Sequence, residues 1–217
     1  MNIFKLIADL LHLVAIFLLV FRIRKSRNCV GISYKTQELF LITFSLRYLD
    51  LFMYFISLYN TCMKLLFIGM TAYTVYLIRY KKPYCRTYNA EADEFPHRKV
   101  ILPAAAVLAL LINSGYEPWE LIWSFSLWLE ALAFIPQIVI LNKIRLIENI
   151  TSHYVATLGL YRFFYVLSWL MKYLSHDYYS WTQILSGVLQ TAVYADLLYY
   201  YFVSVKEGKD KMELPLP

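Results

Sequence analysis

Cysteine, glycine and proline are all scarce in this chain. Its 217 residues hold three cysteines, six glycines and seven prolines. Cys29, Cys62 and Cys85 are widely spaced and form no metal or redox motif, so no structural disulfide is expected. So few glycines and prolines leave little room for long flexible linkers. Catalytic signatures are missing as well: no HExxH, GxSxG or Walker sequence occurs. Glu120 and Glu130 would share one helix, too far apart along its axis to act as a carboxylate dyad. An enzyme is therefore not expected, nor a metal or other cofactor. The N-terminus also lacks the small-residue cleavage site of a signal peptide. Its first apolar run ends in RIRKSR, so that run is expected to act as its own targeting signal.

What is present is apolar surface. The chain is 60% hydrophobic and carries 20 tyrosines, a residue suited to membrane interfaces and polar cavities within membranes. The long apolar runs predict an all-α integral membrane protein. Spans are expected at about 3–21, 37–56, 61–79, 100–114, 119–141, 151–173 and 181–204, the fourth being short. With this count the segments 22–36, 79–99, 142–150 and 205–217 lie on one side. They hold 16 of the 21 Lys and Arg, and the loops opposite hold none. The positive-inside rule then makes the tail cytosolic and Met1 lumenal. The net charge of +6 follows from this topology, so the expected partner is a lipid bilayer and not nucleic acid. The sequon at Asn149 falls in a cytosolic segment and is read as chance.

The two halves resemble each other. Ile32-Ser33 matches Ile150-Thr151, and the same offset pairs His12 with Glu130. Each half contains a span with a central arginine beside a tyrosine, Arg47-Tyr48 and Tyr161-Arg162. The expected architecture is two parallel three-helix repeats joined by a linker helix, as in SWEET and PQ-loop proteins. Pro136-Gln137 is the dipeptide that gives the latter their name. The expected divisions are 1–80 for the first repeat, 81–118 for a cytosolic loop with the linker helix, 119–204 for the second repeat and 205–217 for a tail.

Charge inside the spans points to a site. On a helix, Tyr161, Arg162, Tyr165, Ser168, Trp169 and Lys172 share one face. A cation in a membrane helix usually faces a bundle interior or a watery cavity; the alternative is that Arg162 pairs with a neighbour only to hold the bundle together. Lys5, Arg47 and Lys172 are the other candidates among the basic residues, whereas Lys64, beside a lumenal turn, reads as a snorkelling anchor. Asp50, Glu120 and Glu130 are the matching acids, Asp50 and Glu130 with the alternative of internal counter-ions. Asp196 reads as structural. His12 is either a neutral core histidine or a titrating group, and Trp123 and Trp169 either belt residues or cavity walls. The ionisable groups crowd the lumenal half of the spans. That predicts a cup open to the lumen and closed towards the cytosol, suited to a ligand with excess negative charge such as a peptide with a free C-terminal carboxylate. Arg47 beside Tyr48 would hold such a carboxylate.

At these residues the sequence resembles the ER lumen protein-retaining (KDEL) receptors. The likeness runs through MNIFKLIADLLHL, KSRNCVGIS, RYLDLF, ISLYNTCMK, WELIWSFSLWLEALAFIPQ, GLYRFFY and LQTAVYADLLYYY. It implies a seven-span SWEET-like fold. It also implies cycling between Golgi and ER, and retrieval of escaped lumenal proteins through KDEL- or HDEL-type C-termini. Carried over by motif, Arg47 and Tyr48 would hold the terminal carboxylate, and Lys5, Arg162 and Lys172 the acidic side chains. Asp50, Glu120 and Trp123 would read the start of the signal. His12, Tyr161 and Glu130 would sense pH, with Tyr165 and Trp169 in the wall. Lys206, Lys209 and Lys211 would serve recognition by the COPI retrograde coat. Lys5 and Lys172 stand where the family usually has arginine, and Ser168 where it often has asparagine, so the lysine contacts lack a bidentate fork. The competing reading from residues alone is a SWEET or PQ-loop transporter of a small solute. An intramembrane enzyme would lack any candidate nucleophile or metal site.

Overall fold

The computed structural model describes residues 2–175 and 180–215. Expectations for Met1, for the loop at 176–179 and for the last two residues of the tail lie outside the described residues. Helices make up most of the chain, in the order α1 (Ile3–Ser26), α2 (Tyr34–Arg47), α3 (Leu58–Arg79), α4 (His97–Leu111), α5 (Pro118–Leu132), α6 (Ile135–Ile144), α7 (Asn149–Leu174) and α8 (Trp181–Lys206). By length and composition Ile3–Ser26, Leu58–Arg79, Pro118–Ile144 and Asn149–Leu174 can each cross a membrane, and the protein is a helical membrane protein.

The helix starts are legible as caps. Asn2, Ser33 and Ser57 each stand before a helix in extended conformation, and their side chains accept from Lys5, Thr36 and Asn60 backbone N–H groups. Pro118 opens α5, where its missing N–H is no loss. Two expected spans depart from their helices. The segment expected at 119–141 is broken after Leu132, because Pro136 has no N–H to donate and its ring clashes with the carbonyl four residues back. The segment expected at 37–56 stops being α-helical at Arg47 and continues as a short 3-10 turn over Leu49–Phe52. In that turn Asp50 accepts from Lys64 of α3 at 2.6 Å, which draws the chain back on itself.

Packing follows a regular scheme. The helix α3 touches both α1 and α2, and α8 touches both α5 and α7. Across these groups α1 lies on α7 and α2 on α5, while α4 leans on α5. The α7–α8 contact is close because two glycines lie in it: a Cβ on Gly159 would come within 2.7 Å of Leu198, and one on Gly187 within 2.6 Å of Trp169. Beyond His12 and Glu130 the bundle is filled by Leu19, Phe40, Phe134, Tyr154 and Leu197.

Gln137 is fully buried at the end of the bundle that carries most of the basic residues. Its Oε1 accepts from Ser33 N at 2.8 Å, its Nε2 donates to Gly31 O at 2.7 Å, and its backbone N–H donates to Thr36 Oγ1 at 3.1 Å. It therefore ties α6 to the start of α2. Cys29, Cys62 and Cys85 are all free thiols. Burial pushes the Cys29 thiol up to about 11, which keeps it protonated and unreactive at neutral pH.

The tail, expected as a separate segment, folds back onto the bundle. Strand β1 (Leu146–Glu148) pairs antiparallel with β2 (Lys211–Glu213), and Leu214 N donates to Arg145 O at 3.0 Å. Burial of Met212 and Leu214 supplies the physical reason. At the same end Glu148 accepts from Arg22 of α1 at 3.1 Å.

Candidate functional site

The cavity at the other end of the bundle has a volume of about 870 Å³. It is built from the beginnings of α1, α3, α5 and α8 and the ends of α2 and α7. A smaller side cavity of about 380 Å³ adjoins it, with Arg47, Tyr48, Lys64, Trp123 and Gln183 in both linings.

The floor is a buried ionic cluster. Glu130 is 1% exposed and pairs with both Arg47 and Arg162. Tyr161 donates to its Oε1 at 2.7 Å, and Gln190 donates to the Tyr161 hydroxyl at 3.1 Å. Arg47 also donates from Nε to Ser126 Oγ at 3.2 Å and from Nη2 to the Ser126 carbonyl at 2.7 Å. His12 lies flat on Tyr161, with ring centres 4.1 Å apart, and is backed by Phe67 at 4.6 Å. Arg162 is buried and Arg47 part-buried, so two cations around one carboxylate leave the cluster net positive, and the apolar packing behind it weakens screening from that side.

Above the floor the wall is aromatic. Tyr165 stacks on Trp169 at 5.5 Å, and the Arg162 guanidinium lies within 5.8 Å of both rings. Tyr48 closes the opposite side, stacked on Phe44 and Phe67. Lys5 and Lys172 line the cavity near its mouth; both are exposed and neither forms an ion pair among the described residues. They are cations available to a ligand without breaking an existing pair.

The side cavity is lined by Asp50, Lys64, Trp119, Glu120 and Trp123, among others. With Asp50 taken by Lys64, Glu120 and the two indole faces are what the side cavity offers a cationic group. Lys64 is not the snorkelling anchor expected: it is 9% exposed, bonded to Asp50, and lies 5.8 Å from the Tyr48 ring centre. The acid one turn beyond Arg47 captures it, and sequence separation hid that pairing.

All the residues expected to hold a peptide line one cavity or the other. Their grouping differs from expectation in one respect. Arg47 was expected beside Tyr48 and open to a carboxylate; its guanidinium is instead occupied by Glu130 and Ser126, because α2 packs on α5 at that level. Asp196 is exposed on α8 and outside both cavities. Lys206, Lys209 and Lys211 lie at the far end, with Lys211 opposite Glu148 in the ladder. The hydrogen bond to Glu207, 2.8 Å away, and the nearby Glu213 hold the Lys209 ammonium above the ordinary lysine range.

Among the groups not anticipated are Asn2 and Asp9, which line the main cavity, and Ser126, which holds Arg47 from behind it. Asn2 caps α1, donates to the Ser168 carbonyl at 3.2 Å and accepts from the Ser168 hydroxyl at 2.9 Å. Asp9 falls one turn after Lys5 and one turn before His12, a spacing on one helix face that could have flagged it. Ser126 contributes a backbone carbonyl as well as its hydroxyl, and no side-chain pattern announces that.

Comparison with known proteins gives one family. The profile of the ER lumen protein retaining receptor family matches residues 28–172. The chain is 49% identical over 217 residues to an ER lumen protein-retaining receptor of Plasmodium falciparum, covering 99% of this chain and 98% of that one. It is 46% identical over 216 residues to one from Caenorhabditis elegans, covering 100% of each chain. It is 44% identical over 216 residues to receptor B of Arabidopsis thaliana, covering 99% of this chain and 100% of that one.

Proposed function

We propose a function from one premise: the chain belongs to the ER lumen protein-retaining receptor family. It is a receptor and not an enzyme. In the reading proposed here it captures escaped ER lumenal proteins by KDEL- or HDEL-type C-termini in the Golgi. It then returns them to the ER in COPI vesicles. The observation that carries this reading is the cavity: cationic at floor and mouth, and closed beneath by packed aromatic and aliphatic side chains. A tetrapeptide with two acidic side chains and a terminal carboxylate matches that charge. A transporter would need a continuous polar path through the other half, where Phe40, Phe134 and Leu197 separate hydrogen-bonded pairs such as Gln37 with Tyr154.

The packing scheme supports a seven-span parallel repeat, with α5 and α6 as one kinked span. In each triplet the third helix touches the other two, and the pairs α1 with α7 and α2 with α5 exchange under a two-fold swap. The cavity receives the starts of α1, α3, α5 and α8 and the ends of α2 and α7, so both triplets run in the same sense. With the basic segments at the far end, the cavity faces the lumen and the tail the cytosol.

Within the cup, Lys5 and Lys172 meet the acidic side chains first and Arg47 takes the terminal carboxylate. Asp50, Glu120 and Trp123 receive the signal's cationic residue. His12 supplies the pH response, stacked on the tyrosine that holds Glu130. A free histidine titrates at about 6.5, between the neutral ER and the mildly acidic Golgi. The peptide brings net negative charge to the floor, so protonation and binding promote each other. Affinity is then high in acid and falls as pH rises through the histidine range.

The test is a titration of purified receptor with a Lys-Asp-Glu-Leu peptide at pH of about 5.5 and 7.5, either side of the histidine range. Binding should be tight at the lower pH and weak at the higher, and His12→Ala should flatten the difference and leave affinity low. Full pH dependence in His12→Ala would assign the sensor to another group. No binding of the peptide at either pH would remove the receptor reading.

Lys206, Lys209 and Lys211 form the coat signal in this proposal. Replacing all three with serine should leave peptide affinity intact, since the tail is at the opposite end from the cavity, while the receptor accumulates in the Golgi. Normal return to the ER by fluorescence microscopy of the tagged triple variant would show that the coat reads another segment.

A further inference from the structure

Asp9 is the one cavity carboxylate that the peptide-binding scheme leaves without a role. It is 5% exposed, in a cavity otherwise arranged for an acidic ligand, and it makes no ion pair among the described residues. Two phenols hold it. Tyr59, at the start of α3, donates to Oδ2 at 2.9 Å, and Tyr165 of α7 donates to Oδ1. One side chain of α1 thus reaches helices on both sides of the cup. Tyr165 in turn stacks on Trp169 with the rings 18° apart, and the Arg162 guanidinium sits 5.7 Å from the Tyr165 ring centre.

We propose that Asp9 is a positioning residue for peptide binding. By fixing the Tyr165 hydroxyl it fixes the Tyr165–Trp169 wall and the setting of Arg162 behind it. A hydrogen bond to its hydroxyl further narrows the torsions a packed phenol can adopt, and hydrogen bonds to an ionised acceptor are the stronger kind. The negative charge disfavours an acidic ligand, and the ordered wall outweighs that repulsion. The inference rests on the peptide-receptor reading.

The experiment measures Lys-Asp-Glu-Leu affinity of the full-length receptor at one acidic pH, with thermal unfolding midpoints alongside. The variants are Asp9→Asn, Asp9→Leu, Tyr165→Phe and the double variant Asp9→Leu/Tyr165→Phe. Loss of a hydrogen bond to a charged group predicts about tenfold weaker binding for Asp9→Leu. Asp9→Asn should recover part of that loss, because the amide oxygen still accepts from Tyr165. Tyr165→Phe should weaken binding alone and add little to Asp9→Leu, since both break the same hydrogen bond. Tighter binding in Asp9→Asn would mean that the charge matters only by repulsion, and would overturn the inference. Additive losses in the double variant would mean that Asp9 touches the peptide directly, and would overturn it too. If Asp9→Leu does not fold, Asp9→Asn and Tyr165→Phe decide: both must weaken binding. A wild-type receptor that ignores the peptide overturns the receptor reading and this inference together. One that binds it equally in all variants overturns this inference alone.

Discussion

Replacing Glu130 with leucine is expected to destabilise the protein by about 3–5 kcal/mol, the cost of removing one partner from a buried ion pair. Glu130 pairs with two arginines and accepts from Tyr161, all within the bundle floor. Without it, Arg162 is a 2% exposed cation with no counter-charge, and Arg47 keeps only its bonds to Ser126. The group left behind dominates, because a buried charge without a counter-ion loses its hydration and the flanking Tyr161, Tyr165 and Trp169 rings replace only part of it. Two companion variants separate this from simple loss of packing. Glu130→Gln keeps the shape and two polar atoms but not the charge, and should lie between wild type and leucine. Glu130→Leu/Arg162→Leu removes charge from both sides of one pair and should recover part of the loss. Thermal unfolding in detergent checks all three. A Glu130→Leu midpoint equal to wild type would mean that the cluster contributes nothing net, with water compensating both arginines.

The second large effect is expected at Arg47. In the proposed function this guanidinium takes the peptide carboxylate, and in the structure it is held by Glu130 and Ser126. Its planar fork can serve several acceptors at once from fixed directions, whereas an ammonium is a point charge on a flexible stem. Arg47→Lys should therefore weaken binding about tenfold or more although the charge is kept, since one hydrogen bond to a charged group is worth about 1.5–3 kcal/mol. A C-terminally amidated peptide should lose affinity to a similar degree on wild type. The amide should also make little further difference on Arg47→Lys, because both changes remove the same interaction. Binding unchanged by amidation would show that the terminal carboxylate is not what the cup reads.

Several features were legible from the chain alone, for reasons that are local. Hydrophobic runs gave the helices because a bilayer leaves the backbone no other partner for its hydrogen bonds. The face Tyr161, Arg162, Tyr165, Ser168, Trp169 and Lys172 follows from helical periodicity, and apart from Tyr161 these residues line the main cavity. Caps at Asn2, Ser33 and Ser57 depend on the next three residues only. The break after Leu132 was missed, the segment being expected unbroken at 119–141, although Pro136 four residues on marks it.

Which charges meet was decided by the tertiary structure. Lys64 read as an anchor because its partner Asp50 lies across a turn whose shape no periodicity encodes. Arg47 read as open because the α2–α5 packing that delivers Glu130 and Ser126 joins segments about eighty residues apart. Asp9 went unnoticed because its partners, Tyr59 and Tyr165, come from two other helices. The tail's return to β1 depends on a strand that exists only when both three-residue segments are present. Composition and period set what each helix can bury; the angle at which helices cross sets which side chains are within hydrogen-bond reach. A hydrogen bond fades over a shift of about one ångström, and neither composition nor period resolves a distance that small.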